Sequence, residues 1–263
     1  MNKWTEHSLA YANQRDYLDQ LFKVYPTIPE GLRDIEAKGW EAVQRSFEKR
    51  NNLALIECLL ELDLFPIKDS YVAYLRRDPT SRKRNPETIN RLSGRLYEMG
   101  LNKIFERCSE SKETNRQIGP MFKEWLKRAI GVPVLPLSRF PTAKGNCILE
   151  GSDAELMSFA RESLGYDGEK GLDFVGRFGG QYVVGEAKFL TDFGGHQNAQ
   201  FEDAKRILEN RTIKAVKIAI LDGVLYIPGA KGGGNKMYRY LVENKSNHNI
   251  LSALVLNEFL FAL

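Results

Sequence analysis

The chain has little cysteine, no long apolar run, and no internal repeat or low-complexity segment. Its three cysteines, Cys58, Cys108 and Cys147, are odd in number and far apart. That spacing excludes a CxxC-type zinc site and fits a reducing compartment, with the thiols serving as small buried apolar residues. No stretch approaches the ~18 consecutive apolar residues of a membrane span. The opening residues, Met1 to His7, lack the apolar run of a signal peptide, so the expected location is the cytoplasm.

The rest of the composition is that of a globular protein, with 43% hydrophobic and 27% charged residues. A length of 263 residues suits one large domain, or two small lobes sharing a core. Net charge is +4, and its distribution says more than its size. The stretch Arg76–Arg84 carries five cations against one anion, without a clear apolar period. Arg82, Lys83 and Arg84 there suit phosphate contact, and a solvated loop is the plain alternative.

Apolar periodicity predicts a mostly helical region over residues 1–144. Helices are expected at about Ser8–Val24, after Pro29 (with Leu32, Ile35, Trp40, Val43 and Phe47), at Leu53–Leu60, at Glu87–Met99 and at Pro120–Ile130. Trp4, Trp40 and Trp125 read as core residues. A loop-like connection through Pro133 and Pro136 follows, and the pattern then changes. Ser152-Asp153-Ala154-Glu155 is a capping box, opening a helix that stops at Gly165. Strands are expected at Leu172–Phe178 and Gln181–Phe189, then a helix at about Gln197–Glu209 and a strand at Ala215–Leu221. Asp222-Gly223 reads as a turn into Val224–Ile227, and a helical tail lies near Met237–Glu243. Residues 145–263 thus form an α/β core with the order α-β-β-α-β.

The chemistry concentrates in the first two strands. Gly179-Gly180 makes a two-residue hairpin loop, because glycine supplies the positive φ angles such loops require. Paired residue numbers then sum to 359, so Arg177 faces Tyr182, Val175 faces Val184 and Asp173 faces Glu186. Lys188, two residues on, projects from the same face. Two carboxylates and an amine therefore converge, with opposed Cβ atoms ~5 Å apart. An Asp–Lys pair on a solvated hairpin would need no metal. Here, however, the charges terminate the apolar run Val183–Val184, where unpaired charge is costly. A divalent cation would compensate the two carboxylates, and a hard ion such as Mg2+ suits them.

Asp173, followed on the neighbouring strand by Glu186-Ala187-Lys188, resembles the bipartite PD-(D/E)XK nuclease motif. The wider string Lys170-Gly171-Leu172-Asp173-Phe174, Gly185 to Phe189 and Gly194 to Gln197 is similar to type II restriction endonucleases. Leu172 stands where the motif nominally has proline. The resemblance implies a restriction-endonuclease-like mixed sheet flanked by helices, with Asp173 and Glu186 as metal ligands and Lys188 assisting the attacking water. It also implies a further acid on the preceding helix, Glu155 or Glu162. The expected activity is Mg2+-dependent hydrolysis of double-stranded DNA at a short sequence. A palindromic site implies a homodimer, and a cognate DNA methyltransferase would act on the same site. The region 1–144 would grip and read DNA. The rivals are a repair nicking enzyme or junction resolvase with this motif, and a non-catalytic DNA-binding module.

Two polar segments are candidates for base contact: Asn115-Arg116-Gln117, and His196-Gln197-Asn198 at a helix start. Ordinary turn and capping chemistry is the alternative for each. His196 has no second ligand at helical spacing, which argues against a metal role. Asp192-Phe193-Gly194 spells a kinase triplet without the other kinase elements. The glycine-rich run Gly229–Lys236 is not a P-loop, although it could contact phosphate.

Overall fold

The computed structural model describes residues 1–26, 34–110, 117–229, 235–243 and 247–263. The chain divides into two compact units, Met1–Thr27 with Thr114–Leu263, and Ile28–Glu113. Among the described residues, 1–26 and 117–144 group with the sheet, a different division from the expected one at 144/145.

The first unit opens with α1 (Lys3–Ala12) and α2 (Tyr17–Val24), where a single helix was expected. Asn13 causes the break: its side-chain amide donates to the Leu9 carbonyl at 2.7 Å, competing with the helical ladder. The helical unit contains α3 (Ala37–Glu48), α4 (Asn52–Glu61), α5 (Val72–Arg77), α6 (Ser81–Arg84), α7 (Pro86–Met99) and α8 (Leu101–Cys108). Its core is built from Val43, Leu55, Ile56, Leu59, Leu92, Leu96 and Ile104, all fully buried. Leu32, in the helix expected after Pro29, lies outside the described residues.

The first unit resumes with α9 (Ile118–Ala129), β1 (Val134–Leu135), β2 (Cys147–Leu149), α10 (Asp153–Leu164), β3 (Phe174–Phe178) and β4 (Gln181–Leu190). It ends with α11 (Gly195–Glu209), β5 (Val216–Gly223), α12 (Lys236–Glu243), β6 (Asn249–Leu251) and α13 (Ala253–Phe261). The described strands form one six-stranded mixed sheet in the order β1-β2-β3-β4-β5-β6. β2, β3 and β4 run antiparallel in turn, whereas β1–β2, β4–β5 and β5–β6 are parallel. The short strand β1 falls in the connection expected to be loop-like, and β2 is a strand the sequence pattern did not indicate.

Alternation along the strands separates two cores. Phe174, Phe178, Val183 and Ala187 join the cluster built with α2, α9, α11 and α13. Val175 and Val184 face the other way, onto Leu156, Phe159, Ala160 and Leu164 of α10. Asp173, Glu186 and Lys188 continue this second face by parity.

The Asp222-Gly223 turn is a correction. Asp222 lies inside β5 and is fully buried, and Val224–Tyr226 is a 3-10 turn rather than a strand. Its carboxylate accepts hydrogen bonds from the Ser252 hydroxyl, Ala253 N–H (3.1 Å), Tyr25 hydroxyl (3.0 Å) and Tyr17 hydroxyl (3.4 Å). Burial pushes its pKa up to about 6, even though Ser252, Ala253, Tyr25 and Tyr17 all favour the charged form. This network pins α2 and α13 to the end of β5. All three cysteines are free, with Cys108 and Cys147 buried and Cys58 partly exposed. Among the described residues no helix is long and apolar enough to cross a membrane.

Candidate active site

Gly179 and Gly180 have φ of 54° and 82°, and the β3–β4 ladder runs from Phe178↔Gln181 to Phe174↔Gly185. That is the register inferred from the sequence. At its end Asp173 N–H donates to the Gly185 carbonyl at 3.1 Å. The Asp173 carboxylate turns onto β4, where Oδ2 accepts the Ala187 N–H at 2.9 Å and the Lys188 ammonium at 3.0 Å. Lys188 Nζ also lies 2.5 Å from Glu186 Oε1. The side chains of Asp173 and Glu186 are 8% and 7% exposed, and that of Lys188 is 24% exposed.

The electrostatics follow from this packing. Burial pushes the Glu186 carboxyl up to about 7, and the neighbouring charge of Asp173 adds to it. Lys188 lowers it and Asp153 raises it, without reversing the outcome. Burial alone would lower Lys188, yet Asp173 and Glu186 outweigh it and hold the ammonium up at about 12. Glu186 Oε2 is buried and has no hydrogen-bond partner among the described residues. A buried carboxylate oxygen left bare costs free energy unless something else engages it.

Asp173 and Lys188 line a cleft of about 260 Å³ with Gly119 and Pro120 of α9, Asp153 of α10 and Gln200 of α11. Glu186 lines a second cleft of about 210 Å³, with Lys170 of the preceding loop and Asp203 and Arg206 of α11. Asp173, Glu186 and Lys188 thus stand between two openings.

Asp153 was missed by sequence reasoning, whereas Gln200 ends the polar stretch that begins at His196 and was considered for DNA contact. The capping box forms as expected, but it engages Glu155, whose Oε2 accepts from Ser152 N–H (2.7 Å) and the Ser152 hydroxyl (2.8 Å). Glu162 is paired with the Ser158 hydroxyl at 2.9 Å. The acid of α10 that reaches the cleft is Asp153, held at 2.7 Å by Lys123 of α9. Gly171 permits the approach: a Cβ there would lie 2.6 Å from Asp153 Cβ. A glycine two residues before Asp173 was the available signal for that close contact.

The other predicted residues are dispersed. Arg82 is buried at 8% exposure and donates from Nε to the Leu75 carbonyl at 3.0 Å. Arg84 pairs with Asp78 Oδ2 at 2.7 Å, while Lys83 is exposed. The expected basic loop is a helical turn, because Asp78 Oδ1 accepts from Thr80 N–H (3.0 Å) and its hydroxyl (2.6 Å) and so folds the chain back. In the other segment, Gln197 is buried and exchanges hydrogen bonds with Thr191, and Asn198 donates to the Phe193 carbonyl at 3.1 Å. Both close the β4–α11 turn. His196 is exposed and its Nε2 lies 3.2 Å from the Gln200 amide nitrogen. Asn115 and Arg116 lie outside the described residues; Gln117 occupies the N-cap position of α9 without a side-chain capping bond. Of the glycine-rich run, residues 230–234 lie outside them too, while the buried Asn235 donates to the Val224 and Ile227 carbonyls at 3.0 and 2.9 Å.

The family model of the Tsp45I type II restriction enzyme matches residues 2–263. The chain belongs to this family. Membership implies a nuclease that acts on DNA, and the α/β sheet with its flanking helices is in keeping with it. No curated protein and no solved structure matches the chain.

The site's fit to a metal rests on its donors. Among the described residues there is no group of three His, Cys, Asp or Glu side chains that could hold an ion. Magnesium, however, is commonly held by one or two carboxylates, with waters and substrate phosphate completing its shell. Asp173 and Glu186, with one bare buried oxygen and an ammonium between them, fit that requirement.

Proposed function

We propose that this restriction-enzyme family member is a sequence-specific, Mg2+-dependent endonuclease for double-stranded DNA, built on a PD-(D/E)XK core. The observation that carries it is the unpartnered, buried Glu186 Oε2 beside Asp173 and Lys188. Three ionisable groups packed at the end of an apolar hairpin are poor stabilisers of a fold; a charge-handling task is the better account.

Asp173 and Glu186 would hold the cation, which would supply Lewis-acid charge to the phosphate and to the attacking water. Lys188 Nζ, between the two carboxylates, orients the attacking water by hydrogen bonding and stabilises negative charge developing on phosphate. Asp153 carries a third acid to the cleft in place of Glu155, with Lys123 fixing its direction. Gln200 offers an uncharged donor on the opposite wall. Lys83 on the helical unit suits a phosphate contact, and a homodimer would bring one site to each strand of a palindrome. In a cell the partner activity is a DNA methyltransferase protecting the same sequence, and the working compartment is the cytoplasm.

Digestion of plasmid DNA tests this reading. With Mg2+ a few discrete fragments are expected, and with chelator none. Nicked circles alone would indicate a single-strand enzyme, and intact plasmid at every metal concentration would reject the nuclease.

A further inference from the structure

A cleft of about 770 Å³ lies next to the catalytic one, and Phe189 lines both. Its walls are the α1–α2 turn, the end of β4 at Thr191, and the segment from Gly223 to Pro228. The turn is held firmly on both sides. Asn13 ties it back to Leu9, and the Tyr17 hydroxyl contacts Asp222 while accepting the Gly223 N–H at 3.2 Å. Yet Gln14 and Arg15, at its tip, are exposed, and neither side chain has a hydrogen-bond or ion-pair partner among the described residues. A turn tethered on both sides and presenting two polar side chains to a cleft can offer them to a ligand at a reduced ordering cost.

The location narrows the ligand. Thr191 is three residues beyond Lys188, roughly 10 Å along a strand. That is about three steps of duplex DNA at ~3.4 Å each. The surrounding charge narrows it further. Asp16 and Asp19 flank Arg15, so the turn has no net positive charge and is ill suited to gripping phosphate. Arginine and glutamine are, however, shaped for bidentate contact with guanine and adenine edges in the major groove.

We propose that the α1–α2 turn reads bases: Arg15, with Gln14, determines specificity within a few base pairs of the bond cut by the Asp173–Glu186–Lys188 site. This rests on the endonuclease reading, so the test uses binding and does not require cleavage. The Glu186→Gln protein, and the same protein with Arg15→Ala, Arg15→Lys or Gln14→Ala, are each used to select duplexes from a randomised pool, and the retained DNA is sequenced. Because the Arg15 and Gln14 side chains are exposed and make no hydrogen bond or ion pair among the described residues, unfolding temperatures should match.

The parent is expected to retain one short sequence. Arg15→Ala and Arg15→Lys should each lose about 10- to 100-fold of discrimination at one guanine-bearing base pair, leaving the other positions sharp. Lysine fails there because it keeps the charge but not the planar fork. Gln14→Ala should relax an adjacent pair. An unchanged selected sequence in Arg15→Ala overturns the proposal. So does a uniform loss of affinity that Arg15→Lys restores, which would mark a phosphate contact. A parent that selects a sequence while wild-type protein cuts no DNA would sink the nuclease reading instead, and the two failures are thereby told apart.

Discussion

Replacing Lys188 with methionine should make the metal-free protein markedly less stable and make it depend on a divalent cation. Lys188 Nζ sits 3.0 Å from Asp173 Oδ2 and 2.5 Å from Glu186 Oε1, and both carboxylates are more than nine-tenths buried. Methionine keeps most of the volume and removes the only cation the two acids share in these contacts. Breaking a buried charge pair by deleting one partner costs about 3–5 kcal/mol. The lysine side chain is 24% exposed toward the cleft, which places the cost at the lower end, about 3 kcal/mol. For a chain of this size that is roughly 6–12 °C in Tm. A cation engaging the same carboxylates at a hundredfold excess over its Kd would return about 2.7 kcal/mol, nearly the whole loss. Thermal unfolding in chelator and in excess Mg2+ measures both quantities. The gain from metal should be larger in Lys188→Met than in wild type, where the ammonium must first be displaced. The double variant Glu186→Gln/Lys188→Met should recover most of the chelator stability, because one of the stranded charges is gone. A Tm in chelator equal to that of wild type, or a metal-induced rise no greater than wild type's, would refute the shared-charge reasoning.

Three further outcomes follow from particular contacts. Asp222, raised from about 3.8 to about 6, contributes stability that is complete below pH ~4 and lost as pH rises through 6. The size is about 3 kcal/mol. Denaturant titrations from pH 4 to 7 in a Glu186→Gln background, free of the other raised carboxyl, should show this decline, and Asp222→Asn should abolish it; an unchanged slope would contradict the assignment. Gly171→Ala forces a Cβ to within 2.6 Å of Asp153 Cβ and should cost about 1–3 kcal/mol of stability. By displacing the start of α10 it should also slow cleavage by around 10²-fold, and a wild-type kcat would count against Asp153 in the site. Arg82→Ala should lower stability by about 1.5–3 kcal/mol through its bond to Leu75 O, while leaving the salt dependence of DNA binding untouched. Lys83→Ala should do the reverse, flattening the log–log salt slope by up to ~0.9; equal effects on the slope would return both to phosphate contact.

The parts of this molecule legible in the sequence are those fixed by neighbours along the chain. Gly179-Gly180 sets the hairpin register, and that register alone brings Asp173 beside Glu186 and Lys188. Ser152 and Glu155 define the start of α10 through reciprocal capping bonds. What escaped was set by distant partners. Asp222-Gly223 has the composition of a turn, but hydroxyls from Tyr17, Tyr25 and Ser252 satisfy the aspartate inside a strand. Arg82 belongs to a run of charges that reads as solvated, until Leu75 O and the buried side of α6 claim its guanidinium. Asp153 and Glu155 share the first turn of α10 and are equivalent by composition. The capping bonds commit Glu155 to Ser152, and the packing of Lys123 and Gly171 brings Asp153 to the cleft. The Gln14–Arg15 turn likewise becomes conspicuous once Tyr17 is seen anchored to the end of β5.

The most direct test of the catalytic assignment is the rate of DNA cleavage by Asp173→Asn, Glu186→Gln and Lys188→Ala, with the ends of the wild-type digest sequenced. Wild-type protein with Mg2+ should yield ends that share one short sequence. Each variant should bind that sequence while cutting it at least about 10²-fold more slowly, the scale expected when a transition-state contact is removed. A variant that cuts at the wild-type rate, or one that loses binding and cleavage together, would contradict the placement of the active site at the end of the β3–β4 hairpin.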